Sequence, residues 1–120
     1  MKPIINSTEF GSITVNGEVF NHDIWIDLSG EVKKRKKKLS KKQYGTSHIL
    51  SREEAKYIYE KGAEGIIIGG GQSGMLTLSE EAITYFEKKK CSVEIWPTPQ
   101  SINRWNEKKG KFIGLFHITC

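Results

Sequence analysis

Hydrophobic and polar positions alternate with period two over the first part of the chain and shift to helical spacing in the second. Residues 10–15 alternate into Asn16–Gly17, a dipeptide that favours a two-residue hairpin turn, and Val19 and Phe20 resume on the far side. Residues 22–28 (HDIWIDL) alternate again, with His22, Ile24, Ile26 and Leu28 on one face and Asp23, Trp25 and Asp27 on the other. Ser29–Gly30 predicts a second turn, and 31–39 a returning strand. That strand has only Val32 and Leu39 to bury, so it is expected as an exposed ribbon or sheet edge.

The remainder reads as alternating helix and strand. Ser51 followed by Glu54 forms a capping-box pattern, with Leu50 and Ala55 placed as a hydrophobic staple. The helix it opens would bury Ala55, Ile58 and Tyr59 and stop at Gly62. Between Gly65 and Gly69 lie three isoleucines, a run apolar on both faces, as a central parallel strand requires. Ser79 would cap a helix reaching Lys90, with Ile83, Phe86 and Tyr85 turned inward. Residues 93–96 form the next strand. Thr98 is the expected cap of a third helix, with Pro99 at its first position and Gly110 at its end. Residues 112–118 close the pattern as a strand apolar on both faces. Strand, crossover helix, strand, crossover helix, strand predicts a right-handed parallel βαβαβ core within one α/β domain over residues 1–120. The N-terminal antiparallel hairpins would extend its edge or cover part of one face.

Charge changes this picture in one place. The formal charge is +5, yet eight of the 19 basic residues fall in the stretch 33–42 (KKRKKKLSKK). Without them 11 basic groups face 14 acidic ones, a balance of −3, so attraction to an anionic partner would be local. Two cysteines, Cys91 and Cys120, make no disulfide framework and read as free thiols of a reducing compartment. No apolar run approaches the roughly 20 residues of a membrane-spanning helix. The start has no charged-then-apolar leader, so the cytosol is the expected location and no membrane association is expected.

Several segments carry a resemblance. GTSH (45–48), GIIIGGGQSG (65–74), Pro97–Thr98, the HDI…SG hairpin (22–30) and the ending HITC (117–120) are similar to one small family. It includes the vertebrate adipogenesis-associated domain protein and mitochondrial complex I assembly factor three, with stand-alone archaeal and bacterial members. The likeness runs over nearly the whole chain, although the long basic segment and Trp105 depart from the family pattern. The resemblance implies a three-layer α/β domain with a mixed central sheet. It assigns no catalytic residues, and its eukaryotic members imply assembly or regulatory roles.

Candidate chemistry is sparse. Gly69, Gly71 and Gly74 spell G-x-G-x-x-G after a strand, and Glu94 follows at a distance that suits dinucleotide binding. That motif requires a helix to open at the glycines, whereas 75–78 reads as extended, so a tight turn is the preferred reading. Ligands of parallel sheets bind beyond the carboxyl ends of the strands. That end would gather Gly69, Gly71, Ser73, Gly74, Thr98, His117 and Thr119 into a small polar pocket with spare amides. The opposing reading makes Thr98 a cap and His117 a hydrogen-bonded core residue. Trp25, between Asp23 and Asp27, is either a contact surface or a cover over the sheet. Together with Lys34, Arg35, Lys36 and Lys37 it forms a candidate interaction surface. The lysine run itself reads as a solvated edge strand, a nucleic-acid patch without interleaved aromatics, or a thermal adaptation. His22, His48 and His117 lack the close spacing of a metal site, and Cys120 lies three residues from His117, on the opposite face of a strand. No metal or cofactor is assigned.

The leading expectation is a non-enzymatic binding or assembly module of the cytosol, offering a sheet-end pocket and a basic ribbon to a protein partner. The alternative is a small-molecule or phosphate-binding enzyme using the glycine loop, Thr98 and His117. A second alternative is nucleic-acid binding through 33–42.

Overall fold

A computed structural model describes residues 2–120. The chain begins with three antiparallel strands, β1 (Ile5–Glu9), β2 (Ser12–Val15) and β3 (Glu18–Phe20). Asn16 and Gly17 join β2 to β3 with φ of 48° and 81°, the paired left-handed conformations whose twist suits a two-residue hairpin. β1 carries no clear alternation, because only Ile5 of its five residues is buried.

β4 (Ile24–Ile26) and β5 (Val32–Lys34) form the second antiparallel pair. Asp27 organises their turn: its Oδ1 accepts from the Ser29 amide and hydroxyl and from the Glu31 amide. The expected ribbon over 31–39 stops early. After Lys34 the chain leaves the sheet edge, Arg35 turns inward, and the rest of the lysine run enters a helix, α1 (Lys38–Tyr44). Lysine is a good helix former, so the change of state opposes no local preference.

β6 (Ile49–Leu50) leads to α2 (Arg52–Ile58), where Ser51 accepts the Glu54 amide as the cap predicts. Only half of the capping box forms, because the Glu54 carboxylate is engaged elsewhere. α2 ends at Tyr59 rather than at Gly62. Next come β7 (Gly65–Gly70), β8 (Thr77–Leu78), α3 (Glu80–Lys88), β9 (Ser92–Trp96), α4 (Thr98–Glu107) and β10 (Phe112–His117). The main sheet has the order β5-β4-β10-β7-β9, parallel from β10 to β9 and antiparallel from β10 outward to β5.

Alternation sorts the core into two halves. Trp25, Ile66, Ile68, Ile113 and Leu115 point to one face, which α2 and α3 cover with Ala55, Ile58, Ala82 and Phe86. Ile24, Ile26, Ile67, Phe112 and Phe116 point to the other, covered by α4 and by Ile5, Ile13 and Val15 of the three-stranded sheet. The expected three-layer α/β domain with a mixed sheet is therefore what forms, and the hairpins both extend the edge and cover a face. Trp105 of α4 is fully buried where Gly114 leaves room, and its indole donates to the Pro3 carbonyl at 2.9 Å. Two inward assignments need correction. Ile83 is 42% exposed, and Leu28 lies beyond the end of β4 and packs against the α2–α3 side.

Trp25 is 5% exposed and its indole N–H, among the described residues, has no hydrogen-bond partner. Trp25→Phe removes that unsatisfied donor, a gain of about 1–3 kcal/mol that offsets most of the lost packing. Trp25→Ala opens a cavity and costs about 3–5 kcal/mol. Urea unfolding should place the Phe variant near the parent and the Ala variant far below it.

Candidate functional site

Thr98, Gly71 and His117 meet where β7, β10 and the start of α4 converge. The Gly71 amide donates to Thr98 Oγ1 at 2.8 Å, the Thr98 amide donates back to the Gly71 carbonyl at 2.8 Å, and the Thr98 hydroxyl donates to the His117 carbonyl. Thr98 is thus a latch between two strand ends rather than the helix cap expected of it; Pro97 holds the cap position. A side chain at Gly69 would collide with Thr98, Ser101 and Phe116, so that glycine serves close packing.

The expected neighbourhood forms, but the chain itself fills it. The Gln72 amide donates to the Thr119 carbonyl at 2.6 Å, and the Ser73 and Met75 amides donate to the Cys120 carbonyl at 3.3 and 3.1 Å. The Gly74 amide closes the turn onto Gly71 at 3.1 Å. Gly71 has φ +102°, and a Cβ there would lie 2.2 Å from the Cys120 carbonyl carbon. The amides are therefore occupied, the glycine loop leads into β8 and not a helix, and Glu94 pairs with Arg104 and Lys108. Nothing in this loop reproduces a pyrophosphate cradle.

The open cavity lies on the neighbouring side. It measures about 740 Å³, and its walls include Lys34, Lys36, Lys37 and Lys38 together with Asp23, Arg35 and Thr119. Beneath it is a buried ionic network. Arg35 reaches Glu54 through Nε at 2.6 Å and Nη2 at 3.0 Å, and Asp23 through Nη1 at 2.9 Å. Its Nη2 also donates to the Ser47 carbonyl at 2.9 Å. The Ser40 hydroxyl donates to Glu54. Asp23 further accepts His117 Nδ1 at 2.7 Å and the Ile118 amide at 2.9 Å. Burial pushes the Asp23 carboxyl up, but the hydrogen bond and charge of His117, the Ile118 amide and Arg35 together hold it down at about 2. Thr119 Oγ1 lies 3.2 Å from His117 Nε2, and the His48 ring packs edge-on at 5.3 Å between centroids.

This arrangement divides the candidate residues. Lys34 and Lys36 are exposed and Lys37 is half-buried on the cavity wall, whereas Trp25 and Arg35 are buried and unavailable as an interaction surface. Arg35 goes inward because a guanidinium can fork to two carboxylates, which an ammonium cannot. Asp23, Ser40 and Glu54 are absent from the candidates read from sequence. The one available signal was a single arginine inside a run of lysines. Cys91 is buried, with its thiol pushed up to about 11 by desolvation, and Cys120 is exposed. Among the described residues no helix is long and apolar enough to cross a membrane, and no cluster of three or more His, Cys, Asp or Glu side chains could hold a metal ion.

Residues 5–111 match a family described as protein of unknown function (DUF498/DUF598). The structure is similar to a conserved hypothetical protein from Pyrococcus horikoshii OT3, at 34% identity and TM-score 0.91 over 100% of both chains. It is also similar to a protein called MT938, at 30% identity and TM-score 0.85, over 99% of this chain and 100% of that one. A Xanthomonas campestris protein solved by NMR shares the fold alone, at 9% identity and TM-score 0.73 over 98% of this chain and 86% of that one.

Removing Arg35 tests the network. Arg35→Met leaves Asp23 and Glu54 buried without their cation and should cost about 3–5 kcal/mol, part of it regained on adding Glu54→Gln. Acid titration supplies the sign for Asp23. Its folded pKa of about 2 lies below an unfolded value of about 3.9, so its stabilisation is complete above that value and is lost as pH falls toward 2. Asp23→Asn should flatten this limb of the stability–pH curve.

Proposed function

We infer a function from one premise: the chain belongs to the DUF498/DUF598 family, described as proteins of unknown function. The inferred function is binding, in the basic cleft, of a ligand that presents an anionic group to Lys34, Lys36, Lys37 and Lys38. The observation that carries this reading is the coincidence of concavity and charge. A cavity of about 740 Å³ has the size of a small-molecule site, and four lysines are among the residues that line it. Lys34 ends β5, Lys38 opens α1, and Lys36 and Lys37 lie in the short link between them, next to buried Arg35, whose ion pairs anchor that link.

The binding module expected from sequence is kept, and its site moves from the glycine loop to the cleft, because the loop amides already hold the chain's own carbonyls. An acidic segment of a protein partner would satisfy the same charge. The likeness of the HDI…SG hairpin and the HITC ending to the family of the adipogenesis-associated protein and the complex I assembly factor favours that occupant. Nucleic acid is less well served. Among the described residues the cleft wall presents no Phe, Tyr or Trp on which a base could stack.

Calorimetric titration with pyrophosphate, a glutamate-rich peptide and a single-stranded oligonucleotide tests all three. Pyrophosphate should bind and weaken with added salt. Replacing Lys34, Lys36 and Lys38 together by Gln should weaken it about tenfold, at about 0.5 kcal/mol per exposed charge. Absence of binding by all three, or binding unchanged in the triple variant, would overturn the reading. The peptide binding in place of pyrophosphate would identify a protein partner, and the oligonucleotide alone a nucleic acid.

A further inference from the structure

Three polar groups beside the cleft, two of which line it, form a chain whose order has a chemical meaning. Asp23 Oδ2 lies 2.7 Å from His117 Nδ1, and His117 Nε2 lies 3.2 Å from Thr119 Oγ1. Asp23 and His117 have side chains 1% exposed, whereas Thr119 is half-buried and lines the cavity. Because Asp23 is an acceptor, the imidazole carries a proton on Nδ1, and in the neutral ring the Nε2 lone pair then faces the threonine hydroxyl. A carboxylate orients a base, and the base faces a hydroxyl that opens into a cavity.

We propose that Thr119, activated by His117 and oriented through Asp23, is a nucleophile for acyl transfer from an anionic acyl compound, an acyl phosphate or an ester with a negatively charged leaving group. The inference rests on the cleft being an anion site, since the same lysines would place the charged leaving group beside Thr119. In the first step Thr119 Oγ forms a bond to the acyl carbon while its proton passes to His117 Nε2. The bond from that carbon to the leaving oxygen breaks with its electron pair, and His117 returns the proton to that oxygen. Water then attacks the acyl-threonine, gives a proton to His117, and releases the acid as Thr119 recovers its hydrogen.

Asp23 and Glu54 are both paired with Arg35, and Lys37 Nζ lies 3.8 Å from Asp23 Oδ2. Lys34, Lys36, Lys37 and Lys38 line the same cavity as Thr119, the side on which the anionic leaving group would lie. The other nearby candidate is Cys120, whose side chain makes no hydrogen bond to His117; it is the threonine, two residues along, that faces the imidazole.

The test uses the full chain with acetyl phosphate and with 4-nitrophenyl acetate, which carries no charge. Intact mass after acid quench should show one added acetyl group, mapped to Thr119. Thr119→Val should abolish it and the release of 4-nitrophenolate, while Thr119→Ser should retain both. His117→Gln should suppress acylation at every pH, with a parallel melting curve showing whether the variant folds; Thr119→Val removes only a half-buried hydroxyl and covers the case in which it does not. Lys36→Gln with Lys38→Gln should raise KM for acetyl phosphate by a larger factor than for the neutral ester. Acylation absent from Thr119, or turnover indifferent to Thr119→Val, would overturn the proposal. Pyrophosphate binding without acylation defeats the chemistry alone, and acylation by the neutral ester without pyrophosphate binding defeats the anion site alone while the nucleophile stands.

Discussion

A guanidinium with no side-chain exposure, held between two carboxylates, fixes the relative positions of most elements around the candidate site. Arg35 follows β5, Asp23 precedes β4 and Glu54 lies in α2, so one cation spans the sheet edge and a covering helix. Through Asp23 the network reaches His117 and Ile118, and through Glu54 it reaches Ser40 of α1. A buried ion pair is a weak source of net stability, because desolvating the charges opposes their attraction. Its consequence here is geometric. Arg35 cannot move without stranding two anions, so the basic segment must turn inward at that residue, and that turn makes the wall of the cleft.

The parallel core was legible because its signals are local. Ser51 and Ser79 are caps read from one or two turns of sequence, and β7 and β10 are apolar on both faces because both faces are covered. The residues that misled are those whose partners lie far along the chain. Thr98 reads as a helix cap, since a threonine beside a proline at a helix start commonly is one, but its hydroxyl is taken by Gly71 and His117. The lysine run reads as one solvated strand because periodicity cannot distinguish Arg35 from its neighbours. Glu54 fulfils the sequence pattern of a capping box with its backbone amide alone.

The glycine loop shows the same limit from another side. Its spacing resembles a phosphate cradle, and its amides do converge on oxygen acceptors, but those acceptors are the carbonyls of Thr119 and Cys120. A pattern of glycines reports that backbone will approach something closely; it does not report whether that something is a ligand or the chain itself. The loop's role is then indirect. By anchoring residues 119 and 120 it holds Thr119 at a fixed distance from His117, so a structural feature sets the geometry of the neighbouring open site.

The two halves of the site therefore depend on separate constraints that meet at one side chain. Asp23, anchored by Arg35, fixes the imidazole from the β4 side, and the glycine loop fixes the threonine from the β7 side. His117 stands between them at the end of the central strand, buried on both faces of the sheet. A histidine required only for packing would need its two nitrogens satisfied, and Asp23 and Thr119 do that. Packing alone does not require the second partner to line a cavity that four lysines also line. That placement is the basis for proposing the cleft, rather than the sheet-end loop, as the place where His117 would move a proton.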